Sequence, residues 1–354
     1  MPGKFIDDLG LEAPIFQAPM AGVSTPAMAA AVSDAGGLGG LGLGASTPDA
    51  ALQAIQETRA LTSRPFNVNV FCHASAVRDS IRERHWIKRT RPLFEAFDAT
   101  PPESLREIYT PFQTNDAMLG VLLETRPAVV SFHFGLPRPD QIEALRLAGC
   151  RLIATATSLA EARRIADGGL DAIIAQGWAA GGHRGMFDPA APDERRSTQT
   201  LVRQFVSEVP LPIIAAGGLM DGADIQRAID GGAVAAQLGT AFLRCPESLA
   251  DEAYRARVVS GVETVMVRSI SGRPARCLIN RYTAWAEGVA ISEIPAYPCA
   301  YDLGKALNAA AKAKGETGFG AQWAGSGAAR AVDLPAGELL KLLEAQRQST
   351  CRHP

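Results

Sequence analysis

The chain has 354 residues, 47% of them hydrophobic and 20% charged, a balance that excludes a disordered chain or a coiled coil. No apolar run approaches the ~18 residues that a membrane helix needs. With 35 basic against 37 acidic side chains and a formal net charge of −2, neither nucleic acid nor an anionic membrane is expected as the main partner, which leaves a small molecule.

The N-terminus, Met1 to Asp8, turns acidic where a secretory signal would become apolar. Six cysteines (Cys72, Cys150, Cys245, Cys277, Cys299 and Cys351) contain no Cys-x-x-Cys pair, and most lie among apolar neighbours. Buried, reduced thiols in a cytoplasmic protein are the expectation. The histidines and cysteines lack metal-ligand spacing, so no metal centre is expected.

In chain order, the first strand is expected at 15–19, followed by a helix from Thr25-Pro26, a cap with a first-turn proline. A recurring unit then appears, in which a helix ends in glycine and a short apolar strand follows. Gly36-Gly37 precedes a strand at 38–42, Gly149 one at 150–155, Gly168-Gly169 one at 170–175, and Gly231-Gly232 one at 233–238. Apolar runs at 66–71, 128–134 and 212–216 complete eight strands. Thr47-Pro48 starts a second helix, and Ser158-Leu159-Ala160-Glu161 reads as a capping box. Eight alternating units in about 240 residues fit a (β/α)8 TIM barrel. Residues 37–42 match G-x-G-x-x-G, but that run follows a helix and lies within a strand, the reverse of the context a dinucleotide site needs.

Two stretches break the rhythm. Residues 74–116 are too long for one barrel helix and are expected to cover the mouth. Residues 242–315 read as a mostly helical substrate-covering domain inserted into a barrel of residues 1–241 and 316–354. The amphipathic run 334–348 is expected to close the barrel as its last helix.

Catalytic groups in such barrels lie at the C-terminal ends of the strands. There the third strand carries Asn67 and Asn69, the fourth Ser131 and His133, the sixth Gln176 and the eighth Gln237. Buried amides need partners, so several at one mouth suggest a planar ligand rich in donors and acceptors, such as a flavin. Gly217-Gly218 and Leu238-Gly239-Thr240 follow the seventh and eighth strands, where barrels commonly bind phosphate. The loop Gln176 to Gly185 holds four glycines and can lie against a flat ligand with His183 over it, placed to take a proton or to donate to an anion. His73, His85 and His353 are read as structural.

Six ordered stretches, 17–26 (QAPMAGVSTP), 67–73 (NVNVFCH), 130–135 (VSFHFG), 176–185 (QGWAAGGHRG), 215–222 and 237–242 (QLGTAF), resemble the bacterial class I nitronate monooxygenases, FMN-dependent TIM-barrel enzymes. The resemblance implies that Met20, Gly22, Asn69, Gln176, Gly181, Gly218, Gln237, Leu238, Gly239 and Thr240 line FMN, and that His183 is catalytic. It also implies that His133, Tyr109, Tyr297, Tyr301 and Lys305 border the substrate, and that the tail 320–326 returns to the flavin region. Ala179 stands where many members carry glutamate. The implied reaction is denitrification of alkyl nitronates such as propionate 3-nitronate with O2, through a flavin semiquinone, to a carbonyl compound, nitrite and nitrate. Alternatives are an NADH:quinone or enoyl-thioester reductase on the same barrel, and a non-catalytic flavin-binding protein. A homodimer stays open.

Overall fold

The computed structural model describes residues 4–351, without the side chain of Cys351. The expectations for Met1 to Gly3, for His353 and for the Cys351 thiol lie outside the described residues. Eleven strands occur in them: β1 (Ile15–Gln17), β2 (Gly39–Gly42), β3 (Phe66–Phe71), β4 (Val129–His133), β5 (Arg151–Ala156), β6 (Ala172–Gln176), β7 (Gly182–His183), β8 (Ile213–Ala216), β9 (Ala235–Leu238), β10 (Thr264–Val267) and β11 (Ala275–Leu278). Eight of these, all parallel, run β1-β9-β8-β6-β5-β4-β3-β2. A parallel bridge between Phe16 and Leu38 joins the two ends of this sheet, with Gln17 N donating to Leu38 O at 2.9 Å. The chain is a TIM barrel, and each expected strand is present within a residue or two.

Local chemistry accounts for the phasing. Thr25 and Thr47 cap the helices Pro26–Asp34 and Pro48–Leu61 through their side-chain oxygens. The glycines of 37–42 are small because backbone crosses backbone there: a Cβ on Gly39 would lie 2.0 Å from Ala29 O, and one on Gly42 2.5 Å from Ala21 N. One detail differs from the capping-box reading. Ser158 does accept from Glu161 N at 3.3 Å, but the Glu161 carboxylate does not return to the cap. Its Oε2 accepts from Thr157 N and Oγ1 at 2.6 and 2.8 Å, and its Oε1 accepts from Phe187 N at 2.7 Å. Glu161 thus ties the top of β5 to the far end of the loop that follows β6.

Phe16, Leu38, Val129, Ile153, Ile174 and Ile214 fill the barrel interior, together with Phe5 from the short helix Lys4–Asp8. The last helix, Ala336–Cys351, brings Leu339, Leu340 and Leu343 against Ile15, Met28, Val32 and Ile225, and so completes the outer ring between the helices that follow β1 and β8. Five cysteines are buried and unpaired.

The cover over the barrel mouth draws on three segments. Residues 242–315 supply the helices Glu252–Val258, Arg281–Trp285 and Cys299–Ala313. They also supply an unanticipated antiparallel pair, β10 with β11, which β7 extends to three strands. The stretch 74–116 contributes the helix Ser80–Glu95, whose Trp86 and Phe94 pack with Leu303 and Leu307. Phe319 of the returning tail joins the same cluster. Among the described residues no helix is long and apolar enough to cross a membrane.

Hydrogen bonds to a charged acceptor contribute about 1.5–3 kcal/mol each. Glu161→Gln keeps the shape but cannot accept at both oxygens, and is expected to lower stability by about 1–3 kcal/mol, read as a shifted urea midpoint with unchanged helical circular dichroism.

Candidate active site

The site is built from the loop between β6 and β7. Gln176, at the end of β6, donates from Nε2 to His183 O at 3.0 Å, and its Oε1 accepts from Gly185 N at 2.8 Å. Beyond the turn, β7 pairs with β11, setting His183 opposite Ala275 and Gly182 opposite Arg276. Arg184, 1% exposed, lies beneath. It forms a two-point ion pair with Asp193, at 2.8 and 3.1 Å, and donates to Gln176 O and Gly177 O. The loop is rich in glycine yet rigidly held.

His183 and His133 meet across the mouth. His133 Nε2 lies 3.3 Å from His183 O and its Nδ1 3.1 Å from Thr155 Oγ1, so Nε2 carries the proton and the threonine hydroxyl donates to Nδ1. Around them stand Phe134, Tyr297, Tyr301 and Trp323, with ring centroids 5.0–6.0 Å from that of His183. Burial pulls His183 down to about 3, helped by His133, Arg273 and His73. Burial likewise pulls His133 down to about 4. Both are neutral imidazoles at pH 7. Burial pushes the Tyr301 phenol up to about 12 and raises those of Tyr109 and Tyr297, so the phenols are neutral too.

These groups surround a cavity of about 620 Å³ at the C-terminal ends of the strands, within the usual size of a ligand site. Met20 and Gly22 from the loop after β1, Asn69 from β3 and Gln176 from β6 form one part of the wall. Gly181, Gly217 and Gly218 form the next part, and Gln237, Leu238, Gly239 and Thr240 the last. Tyr109, Tyr297, Tyr301 and Lys305 reach in from the cover. Asn67 and Ser131 do not line it: they lie one layer deeper, where Ser131 Oγ accepts from Asn69 Nδ2 at 2.9 Å. Gln176 lines the cavity, but its amide is occupied by the His183 loop. Gln237 Oε1, in contrast, is buried with no partner among the described residues.

Two lining loops leave backbone donors free. Gly217 and Gly218 turn with φ of +110° and +76°, a conformation that favours glycine. Among the described residues their N–H groups, and that of Gly239, have no protein acceptor. Of the charged residues on the wall, Asp251 pairs with Lys312 at 2.5 Å. Lys305 lies 5.1 Å from the Tyr109 ring and 5.4 Å from the Tyr301 ring, with no acidic partner among the described residues.

Comparison with known proteins gives this arrangement a family. Residues 4–345 match the family model described as nitronate monooxygenase. The chain is 55% identical over 340 residues to a nitronate monooxygenase of Paraburkholderia phytofirmans, covering 96% of this chain and 93% of that one. It is 48% identical over 345 residues to one of Pseudomonas aeruginosa, covering 97% and 98%. A crystal structure of nitroalkane oxidase from Streptomyces ansochromogenes superposes with a TM-score of 0.89 at 38% identity, covering 98% and 99%. The chain belongs to the nitronate monooxygenase family. It is an enzyme, an oxidoreductase.

Motif reading of this nitronate monooxygenase family member missed two residues beside the site. Arg273 is buried, sets its guanidinium 4.2 Å from the Phe134 ring centre, and donates to Met186 O. Ser271 Oγ lies 2.8 Å from His183 Nε2. Both sit in the Ser271-Gly272-Arg273-Pro274 turn between β10 and β11, which resembles an ordinary loop until the pairing of β11 with β7 carries it to the mouth. His73, read as structural, also stacks edge-on to Tyr297 at 5.0 Å.

Because both folded-state histidine values lie below the ordinary ~6.5, the unfolded chain binds more protons between about pH 6.5 and 4. Stability from these groups is full above that window and is lost as pH falls through it. The thermal midpoint of the wild type is expected to drop from pH 7 to pH 4.5, with a shallower drop in His133→Asn. An identical pH slope in the two proteins would contradict the buried neutral imidazole.

Proposed function

We propose that the enzyme binds FMN in this cavity and oxidises anionic alkyl nitronates, propionate 3-nitronate being the substrate its chemistry fits best, with O2 as acceptor. The observation that supports it most is the cavity's charge balance: neutral histidines and phenols, Asp251 neutralised by Lys312, and Lys305 without an acidic partner among the described residues.

The residues present suit a flavin. Gly217, Gly218 and Gly239 offer free backbone N–H groups where a phosphate would sit. Gln237 presents a buried oxygen without a partner, and Asn69 keeps its Oδ1 free while its Nδ2 is held by Ser131. Met20, Gly22, Gly181, Leu238 and Thr240 would complete the cradle, Gln176 would hold its loop, and Thr240 Oγ1 anchors the returning tail by accepting from Gly325 N at 3.0 Å. The nitronate monooxygenase family is flavin-dependent, and the bound flavin supplies an electron acceptor for the nitronate and a route from there to O2.

The chain's own groups do the rest. A nitronate is already an anion, so no carbon proton has to be removed. His183 holds the nitronate oxygens in the cavity, and the aromatic rings of Phe134, Tyr297, Tyr301 and Trp323 exclude water, which strengthens every hydrogen bond inside. Lys305 holds a distal carboxylate, kept in place by the flanking rings of Tyr109 and Tyr301. His133 supports His183 through its backbone carbonyl.

Purified protein is expected to be yellow and to release FMN on denaturation, and to consume O2 on adding propionate 3-nitronate while NADH leaves the flavin oxidised. Colourless protein, or rapid bleaching by NADH, would overturn this reading. His183→Asn is expected to lower kcat/KM by about 10²–10⁴, the range for a positioned imidazole, and wild-type turnover would remove the assigned role. Lys305→Met is expected to raise KM for propionate 3-nitronate by about tenfold, one charge-assisted contact, and to leave KM for ethyl nitronate, which has no carboxylate, near the wild-type value.

A further inference from the structure

We propose that Ser271 is a positioning residue that sets the tautomer of His183: its hydroxyl donates to Nε2, and His183 therefore meets the cavity as an Nδ1–H donor. Ser271 is wholly buried, and its hydroxyl oxygen has three polar neighbours: His183 Nε2 at 2.8 Å, the backbone N–H of Arg273 at 3.4 Å and the carbonyl of Arg273 at 3.2 Å. The N–H can only donate to the oxygen. The single hydroxyl proton then has two candidate acceptors.

Geometry separates them. A separation of 2.8 Å suits either direction between Oγ and Nε2. If Nε2 were the donor, however, the hydroxyl proton would be left with the carbonyl at 3.2 Å, longer than the usual range of about 2.5–3.0 Å for a hydroxyl–oxygen bond. As donor to Nε2 the hydroxyl makes its one short bond. The proton goes to Nε2. A neutral imidazole that accepts at Nε2 carries its own hydrogen on Nδ1. His183 Nδ1 has no protein partner among the described residues, and the ring lines the cavity. His133, held by Thr155 and the His183 carbonyl, takes the opposite tautomer, so the two neighbouring rings are set independently.

The tautomer matters for substrate choice. A nitronate presents negative oxygens that need donors, and an Nδ1–H supplies one. A neutral nitroalkane needs a base to remove its carbon proton, and the same Nδ1–H cannot accept it. Ser271 therefore favours the anionic substrate over its conjugate acid, an inference that rests on the reading of His183 as the group that touches the nitronate.

The test is NMR of purified holoprotein carrying ring-¹⁵N histidine, with His183 assigned from His183→Gln. Near pH 7 the expected pattern is a pyrrole-type Nδ1 and a pyridine-type Nε2 for His183 in the wild type. Ser271→Ala is expected to lose that bias and Ser271→Thr to keep it. In turnover, Ser271→Ala should raise KM for propionate 3-nitronate about tenfold, the equivalent of one hydrogen bond, with a smaller change in kcat and no loss of rate on neutral nitroethane. A pyrrole-type Nε2 in the wild type, or an unchanged tautomer in Ser271→Ala, overturns the proposal. With His183 assigned, the wild-type spectrum decides it even if the Ser271 variants fail to fold. It needs no turnover, so a protein with the Nδ1–H tautomer that ignores nitronates would overturn the functional reading and leave the tautomer standing.

Discussion

Everything at the mouth depends on two residues leaving the barrel to join another sheet. Gly182 and His183 form β7, pair antiparallel with β11, and so couple the loop after β6 to the hairpin of the cover. Glycine is required at the turn: Gly182 has φ of +74°, and a Cβ on Gly181 would lie 2.5 Å from Gly325 N. A loop with four glycines loses much entropy on ordering. The pairing with β11, the two hydrogen bonds to the His183 carbonyl and the Arg184–Asp193 ion pair offset that cost. Freedom from side-chain bulk and a fixed histidine are thus obtained together.

The electrostatics follow from the same arrangement. Pairing β7 with β11 brings Arg273 and Arg276 of the cover close to Arg184 of the loop, and among them Arg184 has an ion pair with a carboxylate. Arg276 is held by the Trp178 carbonyl and Thr264, and Arg273 by the Met186 carbonyl and the Phe134 face. Burial lowers Arg273 to about 10, which leaves it charged at neutral pH. Burial holds the imidazoles neutral, with a smaller push from the Arg273 charge, and cations behind a low-dielectric aromatic wall favour negative charge in front of it. A substrate arriving as an anion is matched by this field, with no reorganisation of charged side chains.

What could be read from residues alone divides along the same line. Strands, caps and helix ends are local, so helix-ending glycines before apolar runs placed four barrel strands and apolar runs by themselves the other four. The lining residues were accessible for a related reason: in a parallel barrel every strand ends at the same face, so a polar residue at a strand end is already located in space. Asn67 and Ser131 show the limit of that logic, since alternation gives the face but not the depth, and they lie one layer below the cavity. The cover is a different kind of object. Its core joins Trp86, Leu303 and Phe319, which are far apart in the chain, and no local pattern announces that contact.

Ser271 and Arg273 are the sharpest instance. A Ser-Gly-Arg-Pro turn has the composition of any tight connection, and its neighbours β10 and β11 are four residues each, too short to stand out among helices. Only the register of β11 against β7, with Ala275 opposite His183, places this turn behind the histidine. Glu161 carries the same lesson in reverse. Its spacing from Ser158 predicted a local reciprocal cap, yet the carboxylate bonds Thr157 and Phe187, because burial beside the loop end gave it a long-range donor that a local motif cannot encode. Both cases turn on polar groups whose partners come from other segments. In this barrel such groups gather where the His183 loop meets the cover, and that junction fixes the place of His183.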